Sequence, residues 1–176
     1  MERSWLAYGV TALVGLVVLG YLGLATGVLT PYLAGYDPAD PGDYRHTTVT
    51  VVDGDSGEER GRLEAAVADT AAKRYVGLSE TDRLPADRGM LFVYDEPQAE
   101  LTYVMRNMSF PLDIVFVHGN GTIQSIHHVR APDAGEDGES ITASGDGQYV
   151  LEVNRGWTTD RGIEAGDRLE FELPDE

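Results

Sequence analysis

One carboxylate sits where an ionised group is expensive. Asp113 follows Pro111-Leu112 and precedes Ile114-Val115-Phe116-Val117, in line with Val115 and Val117 on an apolar strand face. An unpaired charge buried there costs several kcal/mol, so it must be paired or protonated. Arg106 and Asn107, a few residues before Asp113, are its nearest candidate partners, and a hydrogen bond from either would stitch a bent corner. The functional alternative is a pocket floored by these polar groups, in which a poised carboxyl acts as acid, base or ligand contact. If folding brought Asp113 and Glu152 within ~5–9.5 Å, they would form the acid and base or nucleophile of a glycosidase. Trp157, after Gly156, suits stacking on a sugar, although a large aromatic after a strand more commonly plugs a core.

Other chemistries find less support. His127 and His128 point to opposite faces of a strand and cannot chelate one ion together; His46 and His118 are remote in sequence, so no metal site is expected. Ser79, Ser109, Ser125 and Ser144 lack a nucleophile elbow, and Gly119 and Gly121 lack the third glycine and following helix of a dinucleotide loop. The acidic, Gly-rich stretch 132–147 misses the EF-hand spacing. No cofactor is expected. Two glycosylation sequons begin at Asn107 and Asn120, of which Asn120, at a hairpin tip, is the better exposed candidate.

The elements that must position these residues read as mostly antiparallel β. "HTTVTVV" and "RLEAAVA" flank a turn and form an opening hairpin. Thr70 caps a short helix, "AAKRYVGLSE", with Tyr75 and Leu78 three apart on one face. Strand-like runs follow in "GMLFVYD", "ELTYVMR", "LDIVFVH", "GTIQSIHHV", "QYVLEV" and "RLEFEL". His118-Gly119-Asn120-Gly121 is the strongest hairpin signal, through an Asn-Gly two-residue turn. The fold class expected is mainly β, α+β at most: an antiparallel sandwich or barrel with one short helix, preceded by an N-terminal transmembrane helix.

That helix is expected at residues 5–33, a span without a charged residue or a histidine, where ~20 such residues suffice to cross a bilayer. Arg3 precedes it, and Asp37, Asp40 and Asp43 follow, so the positive-inside bias leaves residues 1–4 in the cytoplasm and the remainder outside. A cleaved signal peptide, with Gly23-Leu24-Ala25 as its small-x-small site, is the rival reading. A Pro/Gly/Asp tether at 34–45 then leads to an exported β domain at 46–176, so the expected location is the cell membrane, single-pass. The chain has 30 acidic and 13 basic residues, a formal charge of −17 and a single lysine, Lys73. With 42% hydrophobic residues it is too apolar for a disordered acidic chain; it reads as a folded domain with the acidic coat of an extreme halophile, and it disfavours nucleic acid as a partner. Cysteine is absent, which excludes disulfides and thiolate chemistry.

The ordered blocks "KRYVGLSETDRLPADRGMLFVYDEP", "YVMRNMSFPLDIVFVHGNGTIQSIHHVRAP" and "YVLEVNRGWTTDRGIEAGDRLEF" resemble the prokaryotic family catalogued as domain of unknown function 192, over about residues 62–171. The resemblance implies one compact β-rich domain, a sandwich or barrel, often carried on exported or anchored chains, and implies no activity. The chain departs from the family's pattern at Gly77-Leu78-Ser79 and at Tyr103-Val104-Met105, which alters the lining of any shared pocket. The candidate ligand contacts are therefore Met90, Tyr103, Met105, Arg106, Asn107, Asp113, Glu152 and Trp157. The function expected is a non-catalytic ligand-binding or protein-interaction module on the membrane; the alternative is a cell-envelope hydrolase acting through Asp113 and Glu152.

Overall fold

The first two strands show why the chain folds as β. In β1 (Arg45–Val52) Thr47, Val49 and Val51 alternate inward, and in β2 (Glu59–Ala68) Leu63, Ala65 and Val67 do the same. The two pair antiparallel, Val49 opposite Leu63, so their β-branched and small side chains share one buried face. Asp53 organises the turn between them, its Oδ1 accepting from the amides of Asp55 and Ser56 at 3.0 and 2.7 Å, an Asx arrangement. The structure, a computed structural model, describes residues 43–174. The apolar segment at 5–33 and most of the tether at 34–45 lie outside the described residues; among those described, no helix is long and apolar enough to cross a membrane.

Thr70 does cap the helix, accepting from the Lys73 amide at 3.2 Å. The helix α1, however, spans only Ala71–Val76, because Gly77 turns to φ +52° and ends it. Leu78 therefore lies past its end and buried, while Tyr75 is exposed, and the two share no helical face. The 69–87 connection is long enough for a crossover, and β3 (Arg88–Val104) returns parallel to β2, Val67 opposite Leu91. The sheet is consequently mixed, one parallel pairing among antiparallel ones, in place of the antiparallel sandwich or barrel expected. The runs "GMLFVYD" and "ELTYVMR" also merge into the single strand β3, whose pairing slips between Val93 and Leu101.

β4 (Leu112–Val117), β5 (Ile123–Val129), β6 (Thr142–Asn154) and β7 (Arg168–Glu170) complete seven strands in the order β5-β4-β6-β3-β2-β1-β7. The β4–β5 turn is a three-residue loop rather than the expected two-residue one. The Gly121 amide bonds to the His118 carbonyl, the His118 amide bonds to the Thr122 carbonyl, and Gly121, not Asn120, takes the positive φ. The far ends of the strand order then meet. The Ile123 amide donates to the Asp167 carbonyl at 2.7 Å, and the Leu169 amide donates to the Gly121 carbonyl at 2.8 Å. The sheet is thus curled into a half-barrel, its two end strands joined at one corner.

Curling gives the sheet two apolar faces. Leu91, Val115, Val117, Leu151 and Val153 pack on one side with Val49, Leu63 and Trp157, and Phe92, Ile114, Phe116 and Val150 pack on the other with Met90, Met105, Met108 and Leu112. β4 is buried along its whole length because each face meets one of these cores, which explains its continuous apolar sequence.

Candidate functional site

Asp113 is fully buried on β4 and is saturated with donors, but not from the expected residues. Its Oδ1 lies 2.6 Å from Nδ1 of His128, its partner across the β4–β5 ladder. Its Oδ2 accepts from Thr158 Oγ1 at 2.6 Å and from the amides of Thr158 and Gly156, each at 3.1 Å. Asp113 thereby clamps the 156–158 turn and the edge strand onto β4, a structural use of a buried carboxylate. Arg106 turns elsewhere: its guanidinium donates to the Tyr75 carbonyl, stacks 4.2 Å from the Tyr75 ring centre and lies 3.9 Å from Glu139. Asn107 points outward at φ +56°, a left-handed turn position that asparagine tolerates better than most residues.

The paired-carboxylate arrangement is not formed. In the β4–β6 register Asp113 lies opposite Val153 and Ile114 lies opposite Glu152. Since alternate residues of a strand face opposite sides, Asp113 joins the Val115/Val153 face and Glu152 the Ile114/Phe116 face. The sheet separates the two groups, and no single substrate can lie between them.

Glu152 instead lines a pocket of ≈ 200 Å³ between the end of α1, β3 and the turn after β3. Gly77 and Leu78 form one wall, Phe92, Tyr94 and Tyr103 a second, and Met108 and Leu112 the base, with Arg74 and Arg106 on the lining. Glu152 is 5% exposed, and among the described residues no hydrogen bond or ion pair reaches its carboxyl. Burial alone pushes its pKa up to about 8, so near neutrality it holds a proton. Tyr103 hydrogen-bonds Tyr94, hydroxyl to hydroxyl, at 3.1 Å, and burial raises its pKa far enough to keep it a phenol. Its ring meets Phe92 edge-on with centroids 4.9 Å apart. Arg74 Nη1 donates to the carbonyls of Asp69 and Val93 at 2.9 and 2.7 Å, and its guanidinium lies 4.7 Å from the Tyr94 ring centre.

Of the candidates read from the sequence, Tyr103, Arg106 and Glu152 converge on this pocket. Met105 is completely buried in the adjoining core, and Met90 lines a second, wider cleft of ≈ 780 Å³ that shares Val76, Gly77 and Leu78 with the first. Trp157 is 4% exposed in the opposite core with Arg161 stacked over it. Asn120 is exposed at its hairpin tip, its Oδ1 accepting from the Thr122 amide at 3.0 Å. Arg74, Phe92 and Tyr94 were missed. Arg74 falls within the expected helix "AAKRYVGLSE", and nothing in its local sequence sets it against β3 and β6.

The sequence profile of DUF192, described as an uncharacterized ACR, matches residues 52–171. No curated protein matches the chain. A crystal structure from Sinorhizobium meliloti, described only provisionally as a transcription regulator, is similar at 29% identity and TM-score 0.65, covering 75% of this chain and 98% of that one. A crystal structure of a protein of unknown function from Novosphingobium aromaticivorans is similar at 32% identity and TM-score 0.57, covering 70% of this chain and 83% of that one.

Proposed function

We propose that this chain, which belongs to the DUF192 family, is a non-catalytic binding module whose ligand seats in the pocket against Glu152. The observation that carries the reading is a carboxyl on a residue only 5% exposed, with no hydrogen-bond or ion-pair partner among the described residues, lining a cavity walled by aromatic and apolar side chains. A buried polar group without a partner is costly, and a ligand that supplies the partner recovers that cost as binding free energy. The hydrolase alternative loses its basis, since Asp113 and Glu152 occupy opposite faces. The provisional regulator assignment of the Sinorhizobium relative does not transfer easily, because a chain of charge −17 repels a phosphate backbone.

The same reading places the domain outside the cell of a halophile, tethered by the apolar segment at 5–33; the charge-free run and the acidic, lysine-poor composition support it. Protease added to intact cells should digest residues 46–176, and protection until lysis would refute that orientation. The binding reading is tested by thermal unfolding of the full chain in detergent and molar salt against small neutral, anionic and cationic compounds, beside Val104→Trp, which adds bulk at a position on the pocket's lining. A compound at 100 times its dissociation constant adds ~2.7 kcal/mol. Stabilisation of the parent but not of Val104→Trp is expected. No stabilisation, or equal stabilisation of both, would overturn the reading.

A further inference from the structure

We infer that the pocket's ligand is a small monocarboxylate with an apolar body, its carboxylate held between the Arg74 guanidinium and the Glu152 carboxyl; this rests on the reading that the pocket is a binding site. The first support is a charge left over. In a chain with 30 acids and 13 bases, carboxylates are abundant, and the described basic side chains Arg45, Arg60, Arg62, Lys73, Arg88, Arg130 and Arg168 each have one. Arg74, like Arg83 and Arg155, has none among the described residues, but of the three only Arg74 lines this pocket; its charge meets two carbonyl dipoles and the Tyr94 ring. It lines the same pocket as Glu152 without pairing to it.

The second support is the sign of the cavity. The polar and charged residues that share the pocket's lining with Glu152 are Arg74 from α1, Tyr94 and Tyr103 from β3, Arg106 from the turn after β3, and Tyr75, Ser79 and Thr102. With Glu152 protonated, no negative charge among the described residues lines the pocket and two guanidiniums do. An ammonium ligand would meet both cations. A carboxylate would instead accept from a guanidinium and from the carboxylic O–H of Glu152, both charge-assisted hydrogen bonds. Phe92, Tyr103, Met108 and Leu112 suit an aromatic or branched body, and ≈ 200 Å³ lies below the ~300–1,000 Å³ of drug-sized sites, so the body is small.

Calorimetric titration of the full chain with benzoate, benzyl alcohol and benzylamine separates the possibilities, since the three share a body and differ in charge. Benzoate is expected to bind, with Arg74→Gln weakening it at least tenfold and Arg74→Lys restoring part of the loss. Between pH 7 and pH 9 benzoate affinity should fall about tenfold, as the protonated fraction of Glu152 drops from roughly 90% to 10%. Glu152→Gln, which keeps a neutral donor, should bind without that dependence. The pH series on the parent needs no variant and so stands even if an Arg74 substitution fails to fold. Binding of benzylamine or benzyl alcohol in preference to benzoate, lost in Val104→Trp, would overturn the anion assignment and leave the binding reading intact. Absence of binding by all three would overturn both.

Discussion

Glu152→Gln should stabilise this protein, and only in a defined pH window. The folded-state pKa of Glu152 is raised from 4.5 to about 8 by burial alone. Below pH 4.5 the group is protonated in both states and costs nothing differential. Between pH 4.5 and 8 the unfolded chain ionises it while the fold holds the proton, so stability declines as pH rises. At pH 7 the loss is 2.3RT times the 2.5-unit gap above the unfolded value, about 3 kcal/mol, approaching about 5 kcal/mol above pH 8. Glutamine has nearly the same shape and no proton to lose, so the variant escapes the decline. For a domain of this size, about 3 kcal/mol corresponds to a rise of roughly 10 °C in Tm at pH 7. The assay is denaturant or thermal unfolding of parent and variant, without ligand, at half-unit steps from pH 4.5 to 9. The curves should coincide at the acid end, diverge steadily up to about pH 8 and run parallel beyond it. Parallel curves across the range would refute the argument, showing that Glu152 is ionised in the fold and therefore paired or hydrated there.

Asp113→Asn should cost ~2–4 kcal/mol in chemical denaturation, because the amide replaces one acceptor oxygen among the donors from Thr158, Gly156 and His128. It should leave benzoate titration unchanged, since Asp113 faces away from the pocket; loss of binding in a folded variant would contradict the face assignment. Asn107 holds φ +56°, so Asn107→Gly should be neutral within ~0.5 kcal/mol while Asn107→Val costs at least ~1 kcal/mol by the same denaturation assay. Equal effects of the two would mean that the side chain, not the backbone, matters there. Gly138→Ala would place a methyl 2.1 Å from the Met105 carbonyl oxygen, and it should lower Tm clearly by displacing the 3₁₀ turn at Gly138–Ser140 from the end of β3. An unchanged Tm would show that the turn is free to shift.

Elements governed by short-range rules were legible. The alternation in "HTTVTVV", the Thr70 cap and the Asn120-Gly121 hairpin tip each follow from residues within a few positions of one another, and each is found. One failure was local: the helix was read past Gly77, although a glycine free to take φ +52° is itself a helix stop. The others share a longer range. The parallel β2–β3 pairing and the continuity of β3 depend on which strands become neighbours, and local patterns do not encode neighbours.

The candidate site divides in the same way. The sequence by itself determined that Asp113 had to be exceptional, since the desolvation of a carboxyl in an apolar run is a local fact of composition, and it offered Glu152 only as a second carboxylate to pair with it. It also determined the acidic, cysteine-free surface and the charge-free run at 5–33. Only the tertiary structure decided what each carboxyl does. Register set Asp113 and Glu152 on opposite faces of one sheet, gave the first four donors from residues 15 to 45 positions away, and left the second without a hydrogen-bond partner among the described residues, in a cavity it shares with Arg74 and Arg106. A one-residue change of register would exchange those faces, and register is fixed by the sum of all the strand pairings rather than by either residue.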